Sequence, residues 1–291
     1  MYKTEKIERI IELALLTGFI GNGGPVSVML IADAEHAKTS VLRGFRCYKT
    51  IETADISPKV IRDDIVPLLR TYSLNHIIIP DMVKVLSHKT ATVNATIAFF
   101  NAMMEEGIMR SMFFGQTFEL DVPRVCGIIT SVTNDFFKTV CKKWHDIGFT
   151  SRFLPVSYQY SEETKAEIHK LIRRNVFYKE VKDLATEDRE AYDRRFNIEI
   201  PDDIASRISI YAQDAAKASA GYSFYMSVQG GKRAKFNVNI VGFRLHKQLR
   251  QLVRAEALRR TIHNPAVTWT DMEEVDGLLE YVGYPGNPKV I

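Results

Sequence analysis

Residues 26–44 read VSVMLIADAEHAKTSVLRG, and this stretch decides the fold class. An apolar run of strand length comes first, a polar turn follows, and Lys38-Thr39 opens a segment with a helical pattern. A continuous apolar strand that leads through a short turn into a helix is typical of a parallel sheet covered on both faces. The sequence therefore predicts a strand, a loop and a helix in this order.

The turn matches part of the pattern of a phosphate-binding loop. The usual pattern is G-x-x-x-x-G-K-[ST], and residues 32–39 read ADAEHAKT. In such a loop the backbone N–H groups surround the β-phosphate, the lysine contacts the β- and γ-phosphates, and the hydroxyl binds Mg²⁺. The predicted nucleotide-binding residues are Ala32, Asp33, Ala34, Glu35, His36, Ala37, Lys38, Thr39 and Ser40.

Two features of the loop depart from this pattern. Alanine replaces both glycines, and an alanine held at a positive φ angle costs about 1 kcal/mol. Glu35 also places a carboxylate near the position of the phosphate charge. An ordinary strand, turn and helix with a surface lysine is therefore the alternative interpretation.

The composition is that of a globular protein. The chain has 291 residues, of which 46% are hydrophobic and 25% are charged. We expect neither a membrane span nor a signal peptide, because no apolar run reaches 18 residues and the first residues, MYKTEKIERIIELALL, indicate an amphipathic helix. The three cysteines have no metal-site spacing, so we expect no zinc site or disulfide and a cytoplasmic location. A net charge of +4 permits contact with nucleic acid without arguing for it.

The remaining elements predict a sheet followed by a helical region. Further strands are expected at 46–51, 75–81, 124–130 and 153–156, a hairpin at 109–120, and helices at 4–16, 57–72 and 91–106. After Val156 the strand signals stop, and residues 161–280 are mostly helical and charged. The predicted fold class is α/β: a doubly wound parallel sheet over 1–156, a smaller all-helical lid over 157–283, and a tail over 284–291.

Three polar residues stand where they could complete a phosphate site. Asp81 follows an apolar strand and could hold Mg²⁺ through water, although Met82 replaces the glutamate that would serve as the general base. Asn134, with Thr133 as the alternative, follows another strand, and Arg152 precedes the last one. The other interpretations are a helix cap for Asp81, a turn residue for Asn134 and a surface charge for Arg152.

The order of these segments resembles that of AAA+ ATPases, and most closely the ATPase module of minichromosome-maintenance-type helicases. VMLIADAEHAKTSVL is similar to the strand, G-D-P-G-x-A-K-S-type loop and helix of that family. IIIPDMVKVLS, FFNAMMEEG, SVTND, TSRF, and VRAEAL with VTWTDMEEV resemble its later motifs, so the resemblance spans residues 4 to 283. It implies a P-loop NTPase fold, ATP and Mg²⁺ as cofactors, and self-association or a related AAA+ subunit as partner.

The resemblance also implies roles for single residues. Lys38 and Thr39 would bind phosphate and Mg²⁺, and Asp81 would support the metal. Asn134 would be the first sensor, and Arg152 would be the arginine finger that reaches a neighbouring subunit. The second sensor would be Arg244, with Lys247 and Arg250 as alternatives.

Two basic or aromatic features could contact nucleic acid. Arg244, Lys247, Arg250 and Arg254 recur at helical spacing and form a basic stripe, which could face solvent, a nucleotide or nucleic acid. The hairpin carries Arg110, Phe113 and Phe114, and such aromatic rings either stack on single-stranded bases or belong to the core or an interface.

These observations leave two functional hypotheses. The first is an AAA+ ATP-binding protein that acts on nucleic acid in a ring or spiral, as a helicase or loader, with weakened hydrolysis. The second is a catalytically inactive AAA+ module that serves as a structural or regulatory subunit. A binding module of another purpose on the same α/β frame is a weaker third.

Overall fold

The computed structural model describes residues 3–113, 116–174, 181–219, 223–227, 233–237, 242–285 and 288–291. The strands are β1 Ser27–Ala32, β2 Phe45–Cys47, β3 Thr50–Glu52, β4 His76–Ile79, β5 Ile108–Phe113, β6 Gln116–Arg124, β7 Gly127–Thr133, β8 Phe153–Gln159, β9 Lys182–Leu184, β10 Ser223–Ser227, β11 Arg233–Asn237 and β12 Lys289–Val290. The helices are α1 Glu5–Leu16, α2 Lys38–Leu42, α3 Pro58–Val60, α4 Val66–Arg70, α5 Met82–Leu86, α6 Thr90–Asn101, α7 Asn134–Asp146, α8 Glu162–Arg173, α9 Arg189–Asp193, α10 Asp202–Ser219, α11 Gly242–Arg260 and α12 Trp269–Asp276. Ile61–Ile65 and Ala102–Glu106 are π-helical continuations of α3 and α6.

The main sheet has six parallel strands in the order β12-β8-β1-β7-β4-β3. After β1 the chain forms β3 at one edge of the sheet, and β4 and β7 then occupy the positions between β3 and β1. β8 follows on the other side of β1. The strand order therefore reverses beside β1. In open α/β sheets, ligands bind at such a switch point, outside the carboxyl ends of the strands.

Both faces of this sheet are covered, which explains the uninterrupted apolar character of β1. Val28, Leu30 and Ala32 belong to a hydrophobic cluster that includes α1, α10 and α11. Met29 and Ile31 point to the other face and belong to a cluster that includes residues of α4, α6 and α7. Successive strand residues thus face opposite layers. The α/β fold class expected from the sequence, a doubly wound parallel sheet, is confirmed.

The region expected to be all-helical also contains strands. β8 continues three residues beyond Val156 and ends at Gln159. β9 pairs with β2, and β10 pairs with β11 in an antiparallel hairpin. These strands are too short, or too polar, to show a strand pattern in the sequence. The division of the chain at residue 156 stays a prediction.

The segment expected to be a tail joins the main sheet. In β12, Lys289 lies opposite Tyr158 of β8, and the Ile291 N–H donates to the Gln159 carbonyl at 2.9 Å. The predicted hairpin is confirmed, and it is longer than expected because β5 and β6 begin before and end after residues 109–120. Over the part of the chain described above, no helix has the length and apolar character to cross a membrane.

Candidate nucleotide-binding site

The loop between β1 and α2 lies at the switch point and has a strained backbone. Glu35 and Ala37 adopt left-handed conformations, with φ of 64° and 55°. Ala37 is the residue directly before α2, and Glu35 stands at a glycine of the G-D-P-G-x-A-K-S pattern. Residues other than glycine are disfavoured at such angles. The loop therefore keeps a shape for which glycine is the usual residue, at an energetic cost.

Aromatic contacts hold the loop in this shape. The His36 ring stacks on the Tyr160 ring, with centroids 4.8 Å apart and an interplanar angle of 12°. The Tyr158 hydroxyl donates to the His36 carbonyl at 2.5 Å. All three side chains are buried. These contacts fix the middle of the loop against β8 and the residue after it.

The Lys38 side chain is folded back on its own loop. Its ammonium group donates to the carbonyls of Ala32 at 3.0 Å and of Asp33 at 2.5 Å, and only 8% of the residue is exposed. Burial lowers the pKa of Lys38 to about 8, while the negative charges of Asp33 and Asp81 oppose this shift. Lys38 is therefore a partly desolvated amine with two carboxylates nearby.

Four of the predicted residues meet at the carboxyl edge of the sheet. Asn134, the first residue of α7, donates to the Asp33 carboxylate at 2.6 Å. The charges of Asp33 and Asp81 both act on Lys38. The Asn134 Oδ1 atom is buried and has no hydrogen-bond partner among the described residues. The ends of β1, β4 and β7 thus bring Asp33, Lys38, Asp81 and Asn134 together, with one acceptor left open.

Asp81 also has the structural role that the sequence left as an alternative. Its Oδ1 atom accepts the Val83 N–H at 3.0 Å, so it caps α5. The next residue, Met82, is fully buried in the second hydrophobic cluster. Thr39 and Ser40 are exposed in the first turn of α2. The site therefore has an acidic residue and an accessible hydroxyl, but a core residue occupies the position of the expected general base.

These residues fit Mg²⁺-nucleotide binding in part. The lysine, the hydroxyl of Thr39 and the carboxylate of Asp81 are the groups that a phosphate-binding loop uses. The described residues contain no cluster of three or more His, Cys, Asp or Glu side chains suited to a metal. A protein-only metal cage is not needed here, since Mg²⁺ in nucleotide sites is held mainly by phosphates, water and one or two side chains.

Arg152 and Arg244 lie together at the opposite edge of the sheet. Arg152 directly precedes β8, and its Nε atom is 3.2 Å from the Glu105 carboxylate. Arg244 forms a bidentate pair with the same carboxylate, at 3.0 and 2.7 Å, and also donates to the Ser151 hydroxyl. Burial alone would raise the pKa of Glu105, but Arg244, Arg152 and Lys247 hold it below its usual value. Because Arg152 precedes β8 and Lys38 follows the parallel strand β1, this arginine pair and Lys38 of the same chain lie at opposite edges of the sheet.

The basic stripe of α11 is not simply a solvated face. Arg254 is only 5% exposed, and it donates to the carbonyls of Ile198 at 2.8 Å and Asn22 at 2.9 Å. Lys247 is exposed, whereas Arg250 is partly buried. The solvent-facing interpretation is therefore wrong for Arg254.

The hairpin residues are placed only in part. Arg110 is exposed on β5 and pairs in register with Glu119 of β6. Phe113 is the last residue of β5, and Phe114 lies outside the described residues. Contact of Arg110, Phe113 and Phe114 with nucleic acid stays a prediction.

Sequence reasoning missed the residues that support the two sites. Tyr158 contacts His36, which lies 122 residues earlier in the chain, and Tyr160 stacks on the same His36 ring. Glu105 forms ion pairs with two arginines from different elements. The Tyr-x-Tyr spacing at the end of an apolar strand is the one local signal, because it places both rings on one face of β8 and its extension.

The chain is similar to solved structures only at low sequence identity. No protein-family model matches the chain, and no curated protein sequence is significantly similar to it. Among solved structures, one similar chain is a proposed ATPase from Cytophaga hutchinsonii, with 12% identity, 97% of this chain and 82% of that chain covered, and a TM-score of 0.45. Another is a full-length MCM homologue from Methanopyrus kandleri, with 12% identity, 97% of this chain and 56% of that chain covered, and a TM-score of 0.49.

Proposed function

We propose that this chain is an AAA+-like protein that binds ATP at the loop between β1 and α2. The observation that carries this proposal is the convergence of Lys38, Asp33, Asp81 and Asn134 at the switch point of the sheet. A strand, a loop and a helix in this arrangement provide a site for the phosphates.

Binding requires Lys38 to exchange partners. In the described conformation its ammonium group is bonded to two loop carbonyls. To contact the β- and γ-phosphates it must give up at least one of these bonds, and the new charge-assisted bonds offset that loss. Mg²⁺, when bound, would neutralise phosphate charge, with Thr39 as its hydroxyl ligand and Asp81 holding its water.

Hydrolysis is expected to be slow. The general base normally adjacent to the acidic residue is replaced by Met82, whose side chain is fully buried and has no proton-accepting group. Loss of a base raises the energy of the transition state much more than that of the bound substrate. The chain should therefore still bind nucleotide even where its hydrolysis rate is very low. This observation also favours the second candidate, a non-hydrolysing module that serves as a structural or regulatory subunit.

Arg152 and Arg244 are proposed to act on a neighbouring subunit. Their position at the amino edge of the sheet, away from Lys38, supports an action between chains rather than within one. We therefore expect self-association or a related AAA+ partner, in a ring or spiral. Action on nucleic acid rests on the β5–β6 hairpin with its exposed Arg110.

Titration with a fluorescent ATP analogue tests this proposal. The wild-type protein should bind, and Lys38→Ala should weaken binding at least about tenfold, because a charge-assisted bond contributes roughly 1.5–3 kcal/mol. Lys59→Ala, which removes an exposed lysine of α3, is the matched control and should leave affinity unchanged. Equal affinity of the Lys38→Ala and wild-type proteins would refute the site.

Steady-state phosphate release then separates the two candidates. Turnover that depends on nucleic acid and is abolished by Arg152→Ala supports a motor. Nucleotide binding without turnover supports the regulatory module.

A further inference from the structure

The loop between β1 and α2 contains a carboxylate that is bound by a donor of the proposed nucleotide site. Asp33 directly follows β1 and is partly buried, and its carboxylate accepts the Asn134 amide N–H at 2.6 Å. The backbone carbonyl of the same residue accepts the Lys38 ammonium group at 2.5 Å. Asp33 is therefore in contact with two of the side-chain donors that converge at the switch point.

The charge of this carboxylate stabilises Lys38 in the described conformation. Burial lowers the pKa of Lys38, and of the two carboxylates that oppose this shift, Asp33 has a larger effect than Asp81. A buried ammonium group that loses a nearby negative charge is strongly destabilised. A phosphate oxygen carries a negative charge and accepts the same kind of charge-assisted bond. The carboxylate and a phosphate therefore have equivalent roles toward Lys38.

The strand register fixes the position of the carboxylate. Ala32 at the end of β1 lies opposite Thr133 at the end of β7, so Asp33 and Asn134 are the next residues of two neighbouring parallel strands. Asn134 is also the first residue of α7 and is only 9% exposed. A group held beside its partners by the fold has a high effective concentration. The Asp33 carboxylate is therefore always available to these donors.

We propose that Asp33 is an internal anion of this site, which competes with phosphate for Lys38 and Asn134 and thereby lowers the affinity for nucleotide. This inference rests on the proposed function, because it concerns the regulation of the same site. When the phosphates bind, the carboxylate gives up the Asn134 amide and moves away, since two anions at one set of donors repel each other. The repulsion is larger for ATP than for ADP, because the triphosphate carries more negative charge.

Fluorescent-nucleotide titration of Asp33→Asn measures this competition. Asparagine keeps an oxygen that accepts the Asn134 amide but lacks the charge. The affinity for an ATP analogue should therefore rise at least about fivefold, and that for the ADP analogue should rise less. Asp146→Asn is the matched control, because it removes an exposed carboxylate at the opposite end of α7, and it should leave both affinities unchanged. Asp33→Ser replaces Asp33→Asn if thermal unfolding shows that the latter is not folded.

Thermal unfolding without nucleotide tests the internal anion by itself. Asp33→Ala removes the carboxylate beside Lys38, so Tm should fall by roughly 2–4 °C. Sodium acetate supplies a free carboxylate, and it should raise the Tm of Asp33→Ala more than that of the wild type. Sodium chloride at the same ionic strength is the control and should raise both equally. A residue that only supported the loop would not be replaced by a free carboxylate.

Three results would overturn the inference. The first is an ATP affinity of Asp33→Asn that is equal to or weaker than that of a wild type that binds ATP, and this result leaves the proposed function intact. The second is an equal effect of acetate on the wild type and Asp33→Ala. The third is equal nucleotide affinity of Lys38→Ala and the wild type, which refutes the nucleotide site and the competition together. The acetate response distinguishes these failures, because it is measured without nucleotide.

Discussion

The left-handed conformation of Glu35 makes the loop the most informative place for a substitution. Glu35→Gly relieves a backbone strain of roughly 1–2 kcal/mol, whereas the added freedom of glycine in the unfolded chain costs about 0.4–1 kcal/mol. The net gain in the free energy of unfolding should be about 0.5–1 kcal/mol, which raises Tm by roughly 1–3 °C. Removal of the carboxylate should also strengthen nucleotide binding by up to about fivefold.

Glu35→Gln separates these two effects, since it removes the charge and keeps the strain. It should strengthen binding as much as Glu35→Gly does and leave Tm unchanged. Arg195→Gly is the matched control for strain, because Arg195 is exposed and has φ of 51° in a different loop. It should raise Tm without a gain in nucleotide affinity. Thermal unfolding measures Tm, urea unfolding measures the free energy of unfolding, and fluorescent-nucleotide titration measures the affinity. A fall in Tm for Glu35→Gly would refute the strain argument, and unchanged affinity in both Glu35 variants would refute the charge argument.

Further predictions concern the loop and the sheet. Tyr158→Phe removes the 2.5 Å bond to the His36 carbonyl, so the free energy of unfolding from urea denaturation should fall by about 1–3 kcal/mol, and an unchanged value would show that the bond is not needed. Nucleotide affinity should decline as the pH rises through about 8, since Lys38 then loses its proton. Lys38→Arg should flatten the dependence of affinity on pH. A flat dependence in the wild-type protein would contradict the assignment of Lys38 as a phosphate-binding residue. The lowered pKa of Lys38 also means that the unfolded chain binds more protons between about pH 8 and 10.5, so this group's contribution to stability rises with pH there. Gly127→Ala would place a Cβ atom 2.5 Å from the buried His76 ring. The free energy of unfolding, measured by calorimetry, should therefore fall by roughly 1–3 kcal/mol. A Tm equal to that of the wild type would mean that the ring can move and would contradict this prediction.

The sequence predicts the elements that have a strong local signal. β1, β4 and β7 are buried on both faces, and the sequence displays this directly in the apolar runs 28–32, 77–79 and 128–129. The cap of α3 follows from Ser57-Pro58, and the Ser57 hydroxyl indeed accepts the Val60 N–H at 3.3 Å. The convergence of Lys38 with Asp81 follows from topology, because carboxyl ends of parallel strands share one edge.

Elements held by distant partners could not be predicted in this way. β9 and β12 are three and two residues long, and they are strands only because β2 and β8 offer them free edges. The buried Arg254 is similar: its sequence neighbours indicate a solvated stripe, but carbonyls from segments more than 50 residues away satisfy its donors. No local pattern contains such information.

The hydrophobic cluster around α1 limits how this chain can be divided for experiments. Ile7, Ile11 and Leu15 lie in the same cluster as Leu249 and Leu252 of α11. A fragment ending at residue 156 would expose those α1 side chains to water, and its removed half would expose the facing leucines. Expression of either half alone should therefore give insoluble material, whereas co-expression of the two halves should allow them to reassociate.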